Sequence, residues 1–207
     1  MTAHELYSDI GRHLLEDDKP SEFLNEAYNN PLFREYPFTM LFELKKTEQS
    51  PIHHPEGNVW NHTLLVVDEA AKIKDKSKNR AALMWAAFLH DIGKPSTTKT
   101  RKGRLTAYDH DKVGAELSRK FLEVFTDDKK FVDEVSNLIR YHMQILFVVK
   151  DLPFADIEGL RLNTDIKELA LLGLCNRLGR KGQDSFQEKK NIELFLKKCM
   201  GKQTSTI

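Results

Sequence analysis

Five predicted helices of this sequence each carry a polar, metal-competent residue on the face marked out by their apolar residues. His62 shares a stripe with Val66, Ala70 and Ile73, and His110 aligns with Gly114, Leu117 and Phe121. His142 follows Phe131, Val135 and Leu138, and Asn176 follows Leu169 and Gly173. The stretch WAAFLHDIGK, residues 85–94, is apolar nearly all round until it stops on His90 and Asp91. A single histidine on such a stripe is ordinarily a hydrogen-bonded core residue. Several of them, beside a carboxylate that is costly to bury unpaired, point instead to a shared cation. Imidazoles with a carboxylate suit a divalent metal, one ion or two, of the Fe, Mn, Co, Ni, Zn or Mg type, and an Asp can bridge a pair. His4 and His13 in the first helix, and His53 and His54 in a loop, read as incidental.

Apolar residues recur at three and four through most segments and alternating runs are nearly absent, which predicts an all-α chain of eight or nine helices. Ala3, Leu6, Ile10 and Leu14 mark the first helix, over 3–17, and Ser21 reads as the N-cap of a short second one. Pro37 opens a third through FTMLFELKK. Thr47 to Val59, with Pro51, Pro55 and Gly57, reads as a loop. Further helices are expected over 60–74, 79–91, 109–125, 129–146, 165–179 and 184–199, with 147–159 as a connector. The polar, basic stretch KPSTTKTRKGRLTAYD predicts an exposed irregular or hairpin-like loop near 95–108. The expected organisation is one compact all-α domain over 1–207, with a core at about 55–181. Helices at about 1–47 and 184–199 pack on that core.

At 207 residues and 40% hydrophobic content the chain can bury one sizeable core. Its 32 basic and 31 acidic residues leave a net charge of +1, which gives no bulk attraction to nucleic acid or an anionic membrane. Cys175 and Cys199 lack metal-knuckle spacing and fit a reducing compartment. The start, MTAHELYSDIGRHLLEDD, is polar and acidic, and no apolar run nears the roughly 18 residues of a membrane span. A cytoplasmic protein with no membrane partner is expected.

The strings HPEGNVWNHTLLVVDEAA, AAFLHDIGKP, YDHDKVGAEL, LIRYHM and LLGLCNRLGR, in that order, resemble the HD-domain superfamily of metal-dependent phosphohydrolases. They are most similar to the HD region of bacterial CCA-adding tRNA nucleotidyltransferases. SEFLNEAYNN and FTMLFELKK resemble the helices preceding that region, so the likeness covers about residues 20–181. The Gly-rich strand and paired carboxylates of the nucleotidyltransferase head have no counterpart, so the expectation is a stand-alone HD bundle that does not add CCA. The resemblance implies that His62, His90 and Asp91 bind one metal, with the last ligand position, normally Asp, falling on Asn176. An amide oxygen can coordinate but brings no charge. It further implies that His110 and His142 hold a second metal bridged by Asp91, and that Lys94 stands beside the metals to meet a phosphate oxygen.

Such a site suits hydrolysis of a phosphate ester, because metals acidify a bound water and neutralise phosphoryl oxygens. Asp91 could orient the attacking hydroxide, and Lys94, Arg140 and Arg177 could stabilise developing charge. The two arginines fit surface ion pairs equally well. The expected substrate is a phosphorylated small molecule, a nucleotide or a short nucleic acid, with RNA among the possible partners. Two other uses of the same residues stay open: a binding module for RNA, a nucleotide or a protein, weakened as an enzyme by Asn176, or a structural bundle with packed histidines.

Overall fold

A computed structural model describes residues 1–201 and has the expected all-α architecture. In chain order the helices are α1 (Ala3–Glu16), α2 (Pro20–Ala27), α3 (Thr39–Phe42), α4 (Val59–Ile73), α5 (Arg80–Leu89) and α6 (Lys94–Thr97). After a hairpin come α7 (His110–Leu122), α8 (Lys129–Tyr141), α9 (Gln144–Val149), α10 (Ile157–Asn163), α11 (Ile166–Leu178) and α12 (Ser185–Met200). Short 3-10 turns fill Pro31–Arg34, Glu43–Lys46 and Lys74–Lys76. Residues 202–207, included in the expected domain, lie outside the described residues.

The core forms around α5, whose residues from Ala82 to Leu89 are all buried, as its unbroken apolar sequence requires. Helices α1, α4, α8 and α11 flank it. Trp60, Phe33, Phe38, Phe88, Phe121 and Phe195 fill the space between elements, and Cys175 is buried as a small core residue. The 95–108 stretch forms α6 and then an antiparallel hairpin of β1 (Thr98–Arg101) and β2 (Arg104–Ala107), in the register Thr98↔Ala107. Its two-residue turn has Lys102 at φ 48° and Gly103 at φ 72°. Two positive φ values in succession match the twist of a tight hairpin, and glycine takes the second without a Cβ penalty.

Three boundaries differ from the sequence expectation, each for a local reason. Ser21 does not cap α2. Lys19 occupies that position and Pro20 the first turn, while Ser21 donates its backbone N–H and hydroxyl to Asp68 of α4, at 3.0 and 2.7 Å. A carboxylate from a neighbouring helix thus satisfies the exposed amide that an N-cap would serve. The helix expected over 129–146 breaks after Tyr141, where the His142 ring donates from Nδ1 to the Ile139 carbonyl at 2.7 Å. The chain restarts as α9, and α10 occupies the end of the expected connector, so short helices raise the count above eight or nine.

Gly93, in HDIGK, packs against the entry of α7. A Cβ there would fall on the His110 carbonyl oxygen and within 2.6 Å of the Gly114 nitrogen. Both are backbone atoms that cannot swing aside. Gly93→Ala is therefore expected to cost about 1–3 kcal/mol, the range for overpacking. Urea denaturation of the two proteins measures the difference.

Candidate metal centre

The predicted ligands arrive mostly at helix ends, and the ends themselves orient them. His90 caps α5 and donates from Nδ1 to the Ala87 carbonyl at 2.9 Å. His110 opens α7 and donates from Nδ1 to the Ala107 carbonyl at 2.6 Å. His142, at the end of α8, repeats the pattern with Ile139. Each ring uses a carbonyl three residues earlier, and two of these carbonyls are among those a helix end leaves without an intrahelical donor. The neutral ring then has its lone pair on Nε2, aimed away from the carbonyl.

His62, in the second turn of α4, has a carboxylate behind it instead. Its Nδ1 lies 2.9 Å from Glu56 Oε1, and the same oxygen accepts from His54 Nδ1 at 2.8 Å. Glu56 and His54 sit in the loop before α4 and are buried, so the loop read as incidental supplies the backing of the site. Burial pushes the Glu56 carboxyl up, but its contacts with His62 and His54 bring it down to about 2. Burial is also the main cause that lowers His54 to about 3 and His62 to about 4. The only sequence hint was the acidic residue of HPEG just ahead of a helix; the turn that folds it inward has no periodic signature.

With these tautomers, acceptors face acceptors. His90 Nε2 lies 3.1 Å from Asp91 Oδ2 and has no hydrogen-bond partner among the described residues, while Asp91 Oδ2 is also approached by Lys94. His110 Nε2 lies 3.2 Å from His142 Nε2. His62 Nε2 lies 3.0 Å from Asn176 Oδ1 and 3.9 Å from Asp91 Oδ2. A proton could bridge any one of these contacts. Bridging all of them would load the interior with imidazolium charge, which burial opposes at His62, His110 and His142. A divalent cation resolves the contacts together, and the donor set fits one. Possible ligand atoms of His62, His90 and Asp91 lie within 4.8 Å of one another, as do those of Asp91, His110 and His142. Asp91 belongs to both groups and divides its oxygens between them, with Oδ1 3.5 Å from His110 Nε2.

Lys94 approaches Asp91 Oδ2 at 2.8 Å and donates to Gln49 Oε1 at 2.6 Å. Burial alone would raise the Asp91 carboxyl, but His90 and then Lys94 hold it well below the usual range. The two arginines are occupied elsewhere. Arg177 makes a bidentate pair with Glu188, at 3.0 and 2.8 Å, and Arg140 pairs with Asp111 at 2.8 Å. A cleft of about 490 Å³ opens onto Asp91, Lys94, His110, His142 and Asn176. The hairpin, the 48–54 loop and the start of α9 wall it.

Residues 59–148 match the family model described as HD domain. Curated relatives include two proteins named Multifunctional CCA protein. One, from Actinobacillus pleuropneumoniae, is 38% identical over 97 residues, 45% of this chain and 22% of the relative. The other, from Alkalilimnicola ehrlichii, is 26% identical over 200 residues, 96% of this chain and 41% of the relative. The CC-adding tRNA nucleotidyltransferase of Thermus thermophilus is 35% identical over 100 residues, 47% of this chain and 22% of the relative. The chain thus spans less than half the length of these relatives. Among the described residues no helix is long and apolar enough to cross a membrane.

The buried histidines make a pH prediction for the metal-free protein. Folded, His54 and His62 stay neutral down to about 3 and 4, whereas the unfolded chain protonates them near 6.5. Acid therefore favours the unfolded state, by about 1.4 kcal/mol per pH unit for each such histidine. Stability is expected to fall as pH drops from 6.5 towards 4. It continues to fall below the ordinary carboxyl values as Glu56 and Asp91, both depressed when folded, gain protons. Urea midpoints of metal-stripped protein between pH 7 and 4 measure this; a flat profile contradicts it.

Proposed function

We propose that this chain is a metal-dependent phosphohydrolase or phosphodiesterase acting on a phosphate ester of a nucleotide or short nucleic acid. The observation that carries the reading is the set of buried acceptor atoms facing one another around Asp91, at the foot of an open cleft. The match to the HD-domain model supports the reaction class. A relative named for tRNA supports a nucleic-acid substrate, with RNA as a partner.

In this reading His62, His90, Asp91 and Asn176 hold one divalent ion, and His110 and His142 hold a second through Asp91. Metal bound there supplies an acidified water nucleophile and charge neutralisation for the phosphoryl oxygens. The chain's own groups do the rest. Asp91 keeps an ionised carboxylate at the cleft floor and can orient an attacking water. Lys94, 2.8 Å from that carboxylate, can donate to a phosphoryl oxygen entering the cleft. Glu56 and the backbone carbonyls hold each imidazole in one orientation. The reading takes the chain as one domain, with the ligands on its 55–181 core and the first and last helices as buttresses. It places the protein in the cytoplasm, consistent with two buried, unpaired cysteines.

Elemental analysis after purification without added metal, joined to a phosphatase and phosphodiesterase panel across Mn, Fe, Co, Ni, Zn and Mg, tests the proposal. Near-stoichiometric metal is expected. His90→Ala and Asp91→Ala are expected to lose metal and activity by more than the roughly 10–100-fold typical of groups behind the ligands. Asn176→Asp is expected to tighten metal binding by adding a charge. A metal-free protein whose activity survives both alanine substitutions sinks the proposal. Turnover that appears only in Asn176→Asp favours the binding module, whose support is the uncharged Asn176 itself.

A further inference from the structure

The cations around the cleft are not equivalent. Lys94 is paired with Asp91 and Gln49, and Arg177 is held in both hydrogen-bonding directions by Glu188. Arg180 borders the same cleft, two residues past the end of α11. Its guanidinium has no hydrogen bond or ion pair among the described residues, and its Nε is shut off from water. Unpartnered donors in such a place are costly. Arg180 is also locally fixed: the preceding Gly179 presses on α4, where a Cβ would come within 2.9 Å of the Val66 nitrogen. Burial first, then Arg177, brings the Arg180 guanidinium down to about 10, so it stays charged near neutrality. Charge, planar fork and absent partner together describe half of an ion pair.

We infer that Arg180 is the oxyanion-binding residue of this site and receives the non-bridging oxygens of a phosphate group lying over Asp91. A guanidinium fork matches two such oxygens, which a lysine cannot do. This rests on the proposed function for the reacting group but not for the anion itself. Arg177, one of the two arginines singled out in the sequence, is a buttress that anchors α12 to α11. Arg180 lies three residues further along the same string, LGLCNRLGR, and periodicity does not distinguish the two.

The test is calorimetric titration of inorganic phosphate into wild type, Arg180→Gln and Arg180→Lys, each metal-free and manganese-loaded. In whichever form wild type binds phosphate, Arg180→Gln is expected to weaken binding about tenfold or more, the loss of a charge-assisted hydrogen bond. Arg180→Lys should recover part of that loss. Metal content should be unchanged, and the Arg180→Gln melting temperature in phosphate-free buffer should be equal or higher, because an uncompensated charge has been removed. A merely structural arginine would lower it. Wild-type affinity in folded Arg180→Gln overturns the inference and leaves the metal reading standing. Absence of phosphate binding by wild type at millimolar concentration in both forms overturns it too. Failure to load metal sinks the proposed function instead, and the Arg180 contribution is then read in the metal-free form. Should Arg180→Gln not fold, Arg180→Lys decides: at least a roughly threefold loss is expected from the missing fork, and none refutes the inference.

Discussion

Imidazole nitrogens and a carboxylate crowded together at buried positions are the constraint around which this molecule is arranged. The buried Asp91 carboxylate lies 3.1 Å from His90 Nε2, and the Nε2 atoms of His110 and His142 lie 3.2 Å apart. Polar groups crowded together at buried positions need a proton or a cation between them. The fold supplies part of that charge through Lys94 and leaves room for a cation to supply the remainder. Everything that fixes these nitrogens in place works against relaxation of the contacts.

What fixes them is mostly backbone. Three of the four histidines spend Nδ1 on a carbonyl three residues earlier, at the places where helices stop or start. A helix interior has no such carbonyl to spare, so the interruptions after Leu89 and Tyr141 are what make the ring orientations possible. The fourth, His62, lies within a helix and has the Glu56 carboxylate of the preceding loop 2.9 Å from its Nδ1. Gly93 completes the arrangement by letting the turn after Asp91 press against the start of α7, which brings His110 to the second oxygen of Asp91. Rigidity of this kind is what a preorganised site needs.

The cleft above the ligands divides its positive residues by partner. Arg177 and Arg140 are neutralised by Glu188 and Asp111, and they stiffen the contacts between α11 and α12 and between α8 and α7. Lys94 is partly neutralised, and Arg180 is not. A net charge of +1 over the whole chain conceals this, since composition counts charges and takes no account of who faces whom. The hairpin lines the cleft with Thr98, Leu105, Thr106 and Ala107, while its basic residues are exposed.

The sequence by itself determined the helical class, the buried central helix ending on His90 and Asp91, and the inward placement of His62, His110, His142 and Asn176. Those properties are carried by a 3.6-residue period and by the cost of burying polar groups, both local in the chain. Tertiary structure alone decided the rest. It turned the loop before α4 inward so that His54 and Glu56 became part of the site, although nothing periodic marks them. It let Asp68 of α4 replace Ser21 as the polar partner at the start of α2. It broke the expected helix at His142 and paired Arg177 away while leaving Arg180 facing the cleft. The partners of Ser21, Glu56 and Arg177 are chosen by packing, whether they lie 47, 6 or 11 residues away, and a one-dimensional pattern does not encode them.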